Sequence, residues 1–185
     1  MSDTNSKMLP LGTKAPFFEL PNPSKKNEVQ TLEDLKGEKG TLVIFMCNHC
    51  PFVLSVIDQL AELYEDYGEN GIEFIAISSN NVEKYPEDSP EKMAEFQEDE
   101  GFKFPYLYDE SQSVAKAFDA ACTPDFFFFD DKLDLIYRGQ MDDSRPGNQK
   151  EVTGEDLIIA FENLLAGESQ EEVQKPSMGC GIKWK

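Results

Sequence analysis

Two largely apolar runs, TLVIFM (41–46) and IEFIAIS (72–78), constrain this chain more than any other feature. Apolar character of that density fits strands covered on both faces. Between them Val53, Val56, Ile57, Leu60, Leu63, Tyr64 and Tyr67 recur at helical spacing until Gly68. Pro51 stands where the first turn of a helix tolerates a missing N–H. Strand, helix and strand in this order imply parallel neighbours joined by a right-handed crossover.

The rest of the chain reads as further elements around that unit. APFFEL (15–20) is expected to be a short strand, PNPSKKNE a turn, and TLEDLK a short helix capped by Thr31 and stopped at Gly37. Ser89-Pro90 opens a polar helix that ends at Gly101; FPYLYD follows as an edge-like strand, and Ser111 caps SVAKAF. DFFFFD and LDLIYRG flank Asp130-Asp131-Lys132, an antiparallel hairpin whose four phenylalanines read as strand core. Thr153, with Asp156 three residues on, caps a last helix carrying Leu157, Ile158, Phe161, Leu164 and Leu165. The expected organisation is a loose arm over residues 1–14, one domain over 15–167, and a C-terminal tail over 168–185 that docks on it. A chain of 185 residues with 14 Phe and 39% hydrophobic content can fill one such core.

Charge narrows the partners. The chain has 36 acidic against 17 basic residues, a formal net charge of −19. Such a surface repels phosphate backbones and anionic lipid, so neither nucleic acid nor membrane is an expected partner. Solubility is the plain reading of this charge; steering of basic partners is the alternative. The first residues, MSDTNSKMLPLGTKAP, lack the apolar core and basic start of a secretory signal, so a cytoplasmic setting is expected, or a periplasmic one if a signal was removed.

MCNHCPF (46–52) carries the chemistry. A CxxC in a reducing compartment points to catalysis or metal rather than to a structural staple. Where a strand meets a helix, the first sulfur, Cys47, lies at the helix N-terminus, whose dipole favours thiolate. His49, the sole histidine, adds positive charge when protonated. Cys47 is therefore expected to be the low-pKa nucleophile, with Cys50 resolving the mixed disulfide. The competing reading is zinc, which wants four ligands where CxxC supplies two. His49, Cys122 and Cys180 are the remaining candidates, without a second clustered pair, so no metal and no cofactor beyond the Cys47–Cys50 disulfide is expected.

The order of elements, together with GTKAPFFEL, VIFMCNHCPFV, ACTPDFFFFD, YRGQMDDSRPG and PSMGCGIKWK, resembles the peroxiredoxin-like group of the alkyl hydroperoxide reductase/thiol-specific antioxidant superfamily. The resemblance runs from about residue 9 to the end. It implies an α/β, thioredoxin-like fold: a central mixed sheet flanked by helices, with an N-terminal extension and an insertion after the second core strand. It also implies a cis Thr123–Pro124 bond facing the CxxC, with Thr123 offering its backbone to an extended substrate strand.

Two departures from the family pattern bear on activity. Peroxiredoxins place Pro and Thr where this chain has Val43 and Cys47, and an arginine where Ala121, Cys122 and Thr123 stand. Without those groups, peroxide oxygens lack positioning donors, so exchange with disulfides is expected before peroxide reduction. Thioredoxins carry a buried Asp six residues before the first Cys, where this chain has Thr41. Asp142 and Asp143 are then the candidate bases for Cys50, and Asp142 to Arg145 form either a solvated loop or a rim of the site. The implied partners are a protein or small-molecule disulfide or thiol and an unidentified reductant. Cys122 is expected to be a packing residue. Cys180, in a glycine-flanked tail, is either incidental to an anchor or a third redox thiol.

Overall fold

The computed structural model describes residues 3–185, so the first two residues of the expected arm lie outside it. The elements are β1 (Asp3–Asn5), β2 (Glu19–Asn22), β3 (Glu28–Thr31), α1 (Leu32–Leu35), β4 (Gly40–Phe45), α2 (Pro51–Leu54), α3 (Ile57–Tyr67), β5 (Ile72–Ser78), α4 (Pro90–Glu100), β6 (Tyr106–Tyr108), α5 (Ser113–Ala117), β7 (Cys122–Thr123), β8 (Asp125–Asp130), β9 (Leu135–Tyr137), α6 (Glu155–Ala166) and β10 (Met178–Gly181). Five strands make the central sheet in the order β6-β5-β4-β8-β9. β4, β5 and β6 run parallel, while β8 and β9 run antiparallel to their neighbours. Among the described residues, no helix is long and apolar enough to cross a membrane.

The sheet is buried on both faces, as the apolar runs require. Leu42, Ile44, Phe74, Phe126 and Phe128 face α3 and α6, with Phe128 and Phe161 ring centroids 5.0 Å apart. Val43, Phe45, Ile75, Phe127 and Phe129 face the other way, where Phe118 packs 5.6 Å from Phe127. The FFFF run therefore divides two and two across the sheet. Four identical residues carry no register information, because a one-residue slip exchanges Phe for Phe. The ends hold the register instead. Asp125 accepts from Ala121 N at 3.0 Å and from Ser177 Oγ at 3.1 Å; Asp130 Oδ1 accepts Lys132 N and Asp134 N in the hairpin turn.

Several local expectations need correction. The helix read from Pro51 to Tyr67 is broken, with Ser55 Oγ donating to Phe52 O at 3.1 Å at the junction of α2 and α3. The buried face is kept, since Val53, Val56, Ile57, Leu60 and Leu63 all enter the core. APFFEL does not form a strand over its length; β2 begins only at Glu19. Thr31 does cap α1, in a reciprocal box with Asp34. For α5, by contrast, the nearby Ser111 takes only Ser113 N, whereas Thr153 Oγ1 does accept the first amide of α6, Glu155 N, at 3.2 Å. Asp109, fully buried, takes Val114 N and Ala115 N, and Asp142 takes Thr153 N at 2.9 Å and Gly154 N at 2.7 Å. At α5 the carboxylate brought from an upstream loop satisfies two orphan amides, where the local hydroxyl reaches one.

From Asp3 onward the N-terminal arm is paired rather than loose, and its partner is the C-terminal tail. β1 pairs antiparallel with β10, and β10 pairs antiparallel with β7. Gly12 N and Ala15 N donate to Leu135 O and Leu133 O, carrying the N-terminal segment along the sheet. This second sheet, β1-β10-β7, lays the C-terminal tail across the mouth of the CxxC.

Candidate active site

Cys47 follows directly on β4, and Cys50 is the N-cap residue of α2, with Pro51 at its first position. Both are buried, at 1% and 0% exposure. Opposite them runs the segment Cys122–Pro124, with Thr123–Pro124 cis. Thr123 Oγ1 lies 3.7 Å from Cys47 Sγ, and Thr123 O accepts from Cys50 Sγ at 3.3 Å. The fold thus brings Cys47, Cys50, Thr123 and Pro124 together.

His49 reaches the insertion after β5. Its Nδ1 lies 2.7 Å from Asp88 Oδ2, out of line for a hydrogen bond, and its ring stacks on Tyr85 at 5.7 Å between centroids. Asp88 is fully buried and accepts Asn48 N and Asn80 Nδ2, each at 2.9 Å. Tyr106 OH donates to Asn48 Oδ1 at 2.8 Å, which fixes the middle of the motif. Asp88 was missed in the sequence: in PEDSPEK it looks like ordinary acid ahead of a helix. Cys47, His49 and Asp88 have donor atoms within 4.8 Å of one another, the one such group among the described residues.

On the other flank stands Cys180. Its Sγ is 2.6 Å from Cys50 Sγ, and it is 3% exposed. Cys122 is buried beside it in β7, its Sγ 3.6 Å from Pro124 O, and burial pushes its thiol far above the ordinary range. It touches neither active cysteine by hydrogen bond, which suits a packing residue.

The electrostatics reverse the expectation for Cys47. The two motif sulfurs are pushed in opposite directions. Cys50 is lowered to about 5, first by its interaction with Cys47, then by its hydrogen bonds with Cys180 and Thr123, against the opposing effect of burial. Cys47 is raised, by its role as donor to Cys50, by burial, and by the Asp88 carboxylate. Two causes assumed from sequence are weakened. The helix that follows is a single turn before its break, so little macrodipole accumulates. The imidazole faces a buried carboxylate rather than the sulfur alone.

The expected bases for Cys50 are not at the site either. Asp142 is saturated by Ser144, Thr153 and Gly154 and serves the start of α6. Asp143 pairs with Lys175 at 3.2 Å and takes Gln140 at 2.7 Å, at the surface. Arg145 donates to Asp142 O, Ser144 O and Gln140 Oε1, bracing the same loop. The loop does approach the site: Phe52, Val56, Pro124, Met178 and Arg145 line one narrow crevice.

Fold and site together define a thioredoxin-like protein with a dithiol at the strand-to-helix junction. The chain belongs to the Redoxin family, whose pattern matches residues 10–157. It is similar to an uncharacterised conserved protein of Geobacillus kaustophilus, at 54% identity and TM-score 0.97 over 100% of this chain and 97% of that one. A hypothetical protein of Sinorhizobium meliloti is 44% identical, with TM-score 0.95 over 98% of each chain. Thiol-disulfide oxidoreductase ResA of Oceanobacillus iheyensis is 27% identical over 130 residues, 69% of this chain and 63% of that protein.

Proposed function

We propose that the protein is a thiol–disulfide oxidoreductase working through Cys47 and Cys50, on thiol- or disulfide-bearing protein substrates. The observation that carries this is the placement of both sulfurs against Thr123 and Pro124, at the end of a buried parallel strand. The Redoxin match and the similarity to a protein named as a thiol-disulfide oxidoreductase support it.

In the direction that reduces substrate, Cys47 attacks one sulfur of the substrate disulfide and passes its proton to Cys50. The substrate S–S bond breaks, and its other sulfur leaves as a thiolate. That thiolate takes the proton from Cys50, which then attacks Cys47; the mixed disulfide breaks and the second substrate thiol is released. The protein ends as the Cys47–Cys50 disulfide, two electrons poorer. Cys50 thus serves as the proton acceptor for Cys47, and no carboxylate base is needed. Whether the cycle runs forwards or backwards follows from the redox poise around it.

The test is reduction of a peptide disulfide by the reduced protein, followed with Cys47→Ser and Cys50→Ser. Loss in both variants of at least about a hundredfold is expected, because a full cycle requires both sulfurs. Undiminished turnover in either variant would refute the pairing. Peroxide offered as the alternative oxidant should be consumed slowly; rapid consumption would make the protein a peroxidase instead. A second reading is favoured by the Cys47, His49 and Asp88 group, whose donors suit a divalent metal. Stoichiometric zinc in protein purified without chelator, released on thiol oxidation, would establish that reading.

A further inference from the structure

The strand β10 occupies the place where an extended substrate would lie. Its register sets Cys180 opposite Thr123 and Gly181 opposite Cys122, antiparallel. Thr123 precedes the cis proline and also accepts from Cys50, so the chain's own tail already holds the backbone edge beside the dithiol. The fit is close. A Cβ built on Gly179 would stand 1.9 Å from Thr123 O, so only glycine allows this approach. The tail beyond is fastened as well, with Ile182 N donating to Ala121 O, Lys183 N to Asn80 Oδ1, and Lys185 N to Gln112 Oε1. Cys180 Sγ is thereby delivered to 2.6 Å from Cys50 Sγ.

We infer that Cys180 is a third redox thiol of this site, carried by β10 as a tethered occupant of the substrate groove, and that it exchanges with the Cys47–Cys50 disulfide through Cys50. The inference rests on the proposed Cys47–Cys50 chemistry. In the exchange, Cys180 gives up its proton and its sulfur attacks Cys50 Sγ. The Cys50–Cys180 bond forms, the Cys47–Cys50 bond breaks, and Cys47 leaves as a thiolate that takes up the proton. The oxidation passes from one pair to the other within the chain, so no further oxidant or reductant is consumed. Its outcome is a second oxidised form, with Cys47 free and β10 covalently held across the groove. The reverse step, attack of Cys47 on Cys50, releases the tail.

Peptide mapping of the full chain separates the alternatives, since tryptic peptide 40–84 carries Cys47 and Cys50, 117–132 carries Cys122, and 151–183 carries Cys180. The protein is treated with oxidised glutathione, blocked with an alkylating agent, digested and analysed without reduction. In the wild type both an internally bridged 40–84 peptide and a 40–84/151–183 pair are expected, and in Cys180→Ser only the first. In Cys47→Ser the 40–84/151–183 pair should dominate in monomeric protein. The inference is overturned if Cys47→Ser instead accumulates glutathione on Cys50 with Cys180 alkylated. It is equally overturned if the wild type yields only the internal bridge. Emission of Trp184, the single tryptophan, checks that each variant keeps the tail seated. If the wild type never forms the internal Cys47–Cys50 bridge, the proposed function fails, and that outcome is separate from failure of Cys180 to exchange.

Discussion

On one flank of the dithiol the insertion after β5 supplies Asp88, Tyr85 and Asn80, a hydrogen-bonded polar wall against His49 and Cys47. On the other, β10 supplies Cys180 and Gly179, sulfur and bare backbone against Cys50 and Thr123. The two cysteines of one motif therefore live in different electrostatic settings. Their mutual interaction raises Cys47 and lowers Cys50; burial and then the Asp88 carboxylate raise Cys47 further, while Cys180 and Thr123 lower Cys50 further. A motif read only as CxxC does not reveal what its two flanks add to that difference.

The contrast is broken most strongly on the tail side. Gly179→Ala forces a methyl group into Thr123 O, and backbone cannot move aside as a flexible side chain would. A loss of about 1–3 kcal/mol is expected in urea unfolding, the usual cost of overpacking. A stability within error of wild type would mean that β10 is not seated so closely.

Asp125 sharpens the same flank. It holds Ser177, just ahead of β10, and burial keeps its carboxyl raised from 3.8 to about 6. A raised folded value means that the native state binds more protons than the unfolded chain between these two values. That contribution to stability is present below 3.8 and lost as pH rises through about 6. Between pH 5 and 7.5, the stability of wild type relative to Asp125→Asn should fall by about 1 kcal/mol. Parallel curves for the two proteins would show that Asp125 titrates normally.

Asp88→Asn tests the insertion side and carries the smallest effect. The amide keeps an acceptor for Asn48 N but removes the carboxylate that, after Cys50 and burial, helps to raise Cys47. Alkylation of Cys47 near neutral pH should quicken about threefold to tenfold, as expected for a shift of up to one pKa unit. An unchanged rate would mean that Asp88 orders the motif without influencing its chemistry.

How far the sequence was legible follows the range of the forces involved. The apolar runs at 41–46 and 72–78, the hairpin turn after Phe129 and the α1 cap at Thr31 were readable because periodicity and capping are local. The resemblance placed Thr123–Pro124 beside the CxxC, and the geometry agrees. The cap of α5 was misplaced because Asp109 reaches it from an upstream loop rather than from the adjoining residue.

What the sequence determined by itself, then, is a doubly covered sheet with a dithiol where its first buried strand meets a helix, since spacing and hydrophobicity suffice for that. Which sulfur carries the charge, what His49 faces, and whether Cys180 has a partner were decided only by the tertiary structure. Asp88 lies 41 positions beyond Cys47, and Cys180 lies 130 beyond Cys50. Electrostatic coupling depends on distance through space, and only the packing of the insertion and of β10 against the motif makes those distances short.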